Sequence, residues 1–106
     1  MAEIKDPLVE RVVRRIAEAI HPRQIILFGS RAQGAGRYDS DLDLVIIYDG
    51  PIPKRDLKHR VHELFEHPDF SMDLFVLKSD ELHRQKHVAN TLAREITEKG
   101  ILVYGS

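Results

Sequence analysis

Apolar residues recur along this chain with two different periods. Leu8, Val12, Ile16 and Ile20, with Val9 and Val13 beside them, repeat at helical spacing, and Asp6-Pro7 in front supplies an N-cap and a first helical position. The pattern predicts a helix that His21-Pro22 ends. The next run, QIILF (24–28), is short and continuously apolar, rich in β-formers, and stops at Gly29. That predicts a strand buried on both faces. Residues 30–40 are rich in Gly and polar side chains and read as a loop containing one short helical turn near Ser30.

From Asp41 to Tyr48 the period becomes two. Leu42, Leu44, Ile46 and Tyr48 fall on one face, and Asp41, Asp43, Val45 and Ile47 on the other. After the turn DGPIP, a second helix is expected from Pro53 to about Glu66, with Leu57, Val61, Leu64 and Phe65 inward and Lys54, Arg55, Lys58 and Arg60 outward. Pro68 closes it. FSMDLFVL (70–77) predicts a third strand, in which Asp73 shares a face with Phe75 and Leu77. Ser79 reads as the N-cap of a last helix running to about Lys99, with Leu82, Ala89, Leu92, Ala93 and Ile96 inward and Gly100 as its stop. ILVY (101–104) adds a short terminal strand. These elements predict an α+β domain, single over residues 1–106, with a small mixed sheet flanked by helices and an open crevice at the carboxylate-bearing strand ends.

Composition narrows the partners. The 106 residues suffice for one packed core but not for two lobes around a large substrate. Sixteen basic against seventeen acidic residues give a net charge of −1, which argues against a general phosphate-backbone binder, so direct nucleic-acid binding is not expected. There is no cysteine for disulfides or thiolate metal sites. The N-terminus has no signal-like apolar core and no run reaches the roughly 20 apolar residues that span a bilayer, so a soluble cytoplasmic protein is the expectation.

The chemistry is concentrated where carboxylates open apolar strands. Asp41 and Asp43, at i and i+2 on a strand, project the same way about 6.5 to 7 Å apart, and a divalent cation fits between their tips. If the third strand pairs beside the second, Asp73 joins them, and three carboxylates on one face are held close at a cost that a cation offsets. Mg²⁺ is the natural candidate, since it takes a few carboxylates and completes its octahedron with water and phosphate oxygens. The Gly29-Ser30 corner supplies the complementary half: glycine lets a phosphate approach the main chain and a hydroxyl can donate to it. Phosphates and metal meeting in one crevice suit nucleotidyl transfer, in which two ions clamp the attacking and leaving oxygens.

An apolar strand ending in Gly-Ser, ten residues, Asp-apolar-Asp-apolar, and a later strand opening with Asp is the pattern of the polymerase-β-like nucleotidyltransferase superfamily, which this chain resembles. GSRAQGAGRYDSDLDLVI is most similar to its minimal members, the short MntA-type antitoxins paired with a helical HEPN toxin. The resemblance is sharp over Phe28 to Ile47 plus Asp73, and loose elsewhere. It implies that Gly29 and Ser30, with Arg31 beside them, hold the phosphates of a nucleoside triphosphate such as ATP. It implies further that Asp41 and Asp43 bind two Mg²⁺ ions, and that Asp73 ligates the catalytic ion and helps deprotonate the acceptor. The implied reaction is AMP transfer to a hydroxyl of the helical partner, silencing it; the rivals are an antitoxin that acts by occlusion alone and a small-molecule transferase completed by an oligomer. Gln33 stands where many relatives carry arginine.

Other patterns lead elsewhere and fail. DLDLV also fits the nucleophile motif of haloacid-dehalogenase-type phosphatases, but that fold wants it on the first strand and leaves Gly29-Ser30 unexplained. Gly29 and Gly34 have P-loop spacing, yet Ala35 stands where lysine is required. His83 and His87 lie at i and i+4 without a third ligand, and read with His59, His62 and His67 as surface residues. The basic face of the second helix alternates with Asp56 and Glu63, as a solvated face does.

Overall fold

The first helix forms because its opening donors are met. In the computed structural model, which describes residues 6–29, 32, 41–65 and 70–105, helix α1 spans Pro7–Ile20 and Asp6 Oδ1 accepts from the Leu8 and Val9 N–H groups at 3.0 and 3.5 Å. It ends at His21, whose left-handed backbone (φ 54°) lets its N–H donate to the Ala17 carbonyl. The buried side of α1 carries Val9, Val12, Val13, Ile16, Ala17 and Ile20, the stripe expected from spacing except that Leu8 is half-buried.

The chain then runs through β1 (Gln24–Phe28), β2 (Leu42–Ile47), α2 (Lys54–Glu63), β3 (Met72–Leu77), α3 (Ser79–Gln85), α4 (Leu92–Lys99) and β4 (Ile101–Gly105). The strands form one mixed sheet in the order β3-β2-β1-β4. β1 pairs antiparallel with both β2 and β4, and β2 pairs parallel with β3 across the α2 connection. This is the α+β architecture expected from the sequence, a small mixed sheet flanked by helices.

Both sheet faces are covered. Leu42, Leu44 and Ile46 pack with α1 and with Leu57 and Val61 of α2 in the larger core. Val45 and Ile47 pack on the opposite face with Ile26 and with Ile96 of α4. Because β2 is central and sandwiched, it is buried after Asp43 almost without interruption.

Three expectations need correction. The last helix is two helices: Asn90 takes a left-handed backbone (φ 65°) and Thr91 an extended one, and Thr91 Oγ1 then caps α4 by accepting from the Arg94 N–H at 3.2 Å. α3 already stops at Gln85, and residues 86–91 turn the chain before the Thr91 hydroxyl starts α4, leaving Ala89 exposed rather than inward. Ser79 is not the N-cap; Lys78 holds that position, and its N–H donates to Glu81 Oε1 at 3.0 Å. Ser79 is the first helical residue, and its N–H and Oγ both donate to Asp49, at 2.9 and 2.6 Å. Finally, α2 stops at Glu63, and Leu64 and Phe65 follow it half-buried.

Candidate active site

β1 delivers Gly29 and β2 delivers Asp43 to the same place. Gly29 has φ +78°, a conformation that residues with a side chain rarely adopt, and a Cβ built there would collide with Asp43 Oδ2 and stand 3.2 Å from its Cγ. The corner therefore lets the main chain lie directly against a carboxylate. Phe28, the preceding residue, is the register partner of Asp43, so the end of one strand fixes the position of the other's charge.

The parallel pairing of β2 and β3 places Asp43 opposite Asp73. Paired residues of adjacent strands point to the same face, so the two carboxyl groups are brought side by side. Asp43 is half-buried and its pKa is raised. Burial contributes most, followed by the charge of Asp73 and the hydrogen bond to it, then the charges of Asp41 and Glu95. Asp41 lies just before β2, exposed, and so is Asp73.

Thus the two strand-borne aspartates are in contact, whereas Asp41 acts on Asp43 as a nearby charge. Among the described residues no three Asp, Glu, His or Cys side chains are gathered closely enough to hold a metal ion in common. The donor chemistry nevertheless suits Mg²⁺. It consists of hard carboxylate oxygens, and the excess negative charge that raises the pKa of Asp43 is what a divalent cation relieves. Ser30, Arg31, Gln33 and His67 lie outside the described residues. His59, His62, His83 and His87 are all exposed.

Two features of the site were not anticipated from sequence. Glu95, in the first turn of α4, adds a fourth carboxylate that Asp43 senses. It follows the half-buried Leu92 by three residues, so helical spacing sets it at the margin of the buried stripe. The second feature is aromatic. Phe28 and Phe75 stand on strands separated by β2, yet their rings meet over it edge-to-face, with centroids 5.6 Å apart and planes at 61°. Phe28 belongs to the row of Asp43 and Asp73 and Phe75 to the row of the fully buried Val45, so the pair joins the carboxylate row to the apolar row behind it.

Sequence and fold comparisons identify the family. The family model described as Polymerase beta, Nucleotidyltransferase matches residues 10–106, and the chain belongs to that family. A putative nucleotidyltransferase from Sulfolobus solfataricus is similar over 92% of this chain and 78% of its own, at 22% identity and a TM-score of 0.62. The crystal structure of a toxin-antitoxin with AMP-PNP is similar over 92% and 73%, at 20% identity and a TM-score of 0.60. A mutant of the toxin-antitoxin MntA-HpeT is similar over 92% and 73%, at 18% identity and a TM-score of 0.59. At these identities the likeness is one of fold. No curated protein matches the chain. Among the described residues no helix is long and apolar enough to cross a membrane.

Proposed function

We propose that this nucleotidyltransferase moves AMP from ATP to a hydroxyl on a helical partner protein of the HEPN type and so acts as its antitoxin. The observation that carries the transfer is the direct pairing of Asp43 with Asp73 against the Gly29 corner. The partner and the nucleotide are carried by the fold's likeness to a toxin-antitoxin with AMP-PNP.

Gly29, Ser30 and Arg31 receive the β- and γ-phosphates, where main-chain approach needs the absent side chain of Gly29. Asp43 and Asp73, with Asp41 as the nearby third charge, would hold Mg²⁺, which supplies neutralisation of the triphosphate and of the departing pyrophosphate. Asp73 is exposed on the outer strand and takes the proton of the incoming hydroxyl. The hydroxyl oxygen bonds to the α-phosphorus, the bond from that phosphorus to the bridging oxygen breaks, and pyrophosphate leaves.

Co-expression with the product of a neighbouring gene and labelling with α-labelled ATP tests this. Label is expected on the partner with the parent chain and not with Asp43→Asn. If Asp43→Asn protects cells as well as the parent and no label ever reaches the partner, neutralisation is by occlusion and the transferase assignment is wrong.

A further inference from the structure

Strand β3 ends the sheet, pairing with β2 on one side only among the described residues. Its outer main-chain edge lies in an open groove of about 830 Å³ whose lining includes Phe75, Val76 and Leu77 of the strand, Arg55 and Lys58 of α2, and Leu92 of α4. Three consecutive strand residues, whose side chains alternate between the two faces, mean that the groove follows the strand's edge rather than either face.

The groove combines two chemistries. Phe75 is 38% exposed, and with Val88 it makes up the exposed large hydrophobic residues among those described. An uncovered aromatic residue on an edge strand invites pairing with another chain, which soluble proteins ordinarily suppress. Beside it stand cations: Lys58 Nζ lies 5.8 Å from the centre of the Phe75 ring, and no carboxylate pairs with Arg55 or Lys58 among the described residues. Lys54, also in the lining, is satisfied by Glu81, and Asp56 is the one carboxylate among the described lining residues.

We propose that this groove docks an extended acidic segment of a partner polypeptide, added to β3 as a further strand. Main-chain hydrogen bonds to the edge would give affinity, apolar or aromatic side chains on alternate positions would cover Phe75 and Leu77, and the intervening carboxylates would meet Arg55 and Lys58. A single-stranded nucleic acid fits less well, because it needs a continuous cationic track and several stacking rings, and the chain's net charge is −1. The docking itself is independent of catalysis. Its use rests on the transferase assignment: Asp73 precedes Phe75 by two residues on the same face, about 7 Å along the strand, so a docked segment carries its neighbouring hydroxyl toward that carboxylate.

The test is an NMR titration of the ¹⁵N-labelled full chain with a synthetic peptide alternating Glu with Val and Tyr. A peptide with Gln in place of Glu and an oligoadenylate serve as the other probes. The acidic peptide is expected to shift the Phe75, Val76 and Leu77 amide signals saturably. The Gln peptide, and the variant combining Arg55→Glu with Lys58→Glu, are expected to bind about tenfold more weakly or less. Asp43→Asn is expected to keep peptide binding whether or not transfer survives, so failure of the transferase assignment and failure of the docking site read differently. No saturable shift at those three amides up to millimolar peptide, or equal binding of the Gln peptide, overturns the proposal. Stronger shifts of the same amides by oligoadenylate would also overturn it and assign the groove to nucleic acid.

Discussion

Gly29 occupies the one backbone conformation and the one side-chain volume that leave the Asp43 carboxylate where β2 puts it. Gly29→Ala would impose both a left-handed backbone on a residue with a Cβ and a collision with Oδ2. A loss of about 1–3 kcal/mol in unfolding free energy is expected, read by urea denaturation. Transfer activity should fall by more than the lost stability explains, because Asp43 must move.

Asp43→Asn removes a charge that burial and three neighbouring carboxylates oppose. The variant is therefore expected to unfold at the same temperature as the parent or higher when no metal or nucleotide is added. With Mg²⁺ and ATP the order should invert: a ligand at 100 times its Kd stabilises the parent by about 2.7 kcal/mol, and the variant should gain little of this. Thermal unfolding with and without EDTA decides it.

Acid sensitivity should arise away from the site. Hydrogen bonds from the Ser79 hydroxyl and N–H hold Asp49 below its ordinary 3.8. Glu81 is held below 4.5, first by Lys54 and then by the Lys78 N–H. Both shifts are downward, so their stabilisation is complete above those ordinary values and is lost as pH falls through the lower values of the folded state. Asp49→Asn and Glu81→Gln should each lower the melting temperature at pH 7 and make progressively less difference below about pH 4. An unchanged deficit at pH 3 would contradict this.

Thr91 is predicted to matter for the seam between α3 and α4. Its hydroxyl lies 3.0 Å from the Gln85 carbonyl and 2.8 Å from that of Val88, and it also caps the second helix. Thr91→Ala should cost about 0.5–2 kcal/mol. Faster amide exchange in the first turn of α4 would locate the effect there.

Local rules made much of this chain legible. The stripe of α1, the alternation in β2 and the glycine stop after β1 each express a single period or a single backbone requirement, and the structure follows them. The break between Gln85 and Leu92 escaped because apolar spacing continues on both sides of it, masking a short capping signal. Phe75 escaped for another reason: its place in an alternating strand does not say whether a helix covers that position, and here the strand is the sheet's edge.

The amino-acid order alone determined which residues carry charge at strand starts, Asp41, Asp43 and Asp73, because chemical identity and the period of two need no partner. Tertiary structure decided that Asp43 and Asp73 face each other while Asp41 acts as a nearby charge, that the charge of Glu95 is felt at Asp43, and that the Phe28 and Phe75 rings meet across β2. Those relations depend on register and on which strands become neighbours, and burial of the central strand between two helical layers selects them only when the whole chain packs.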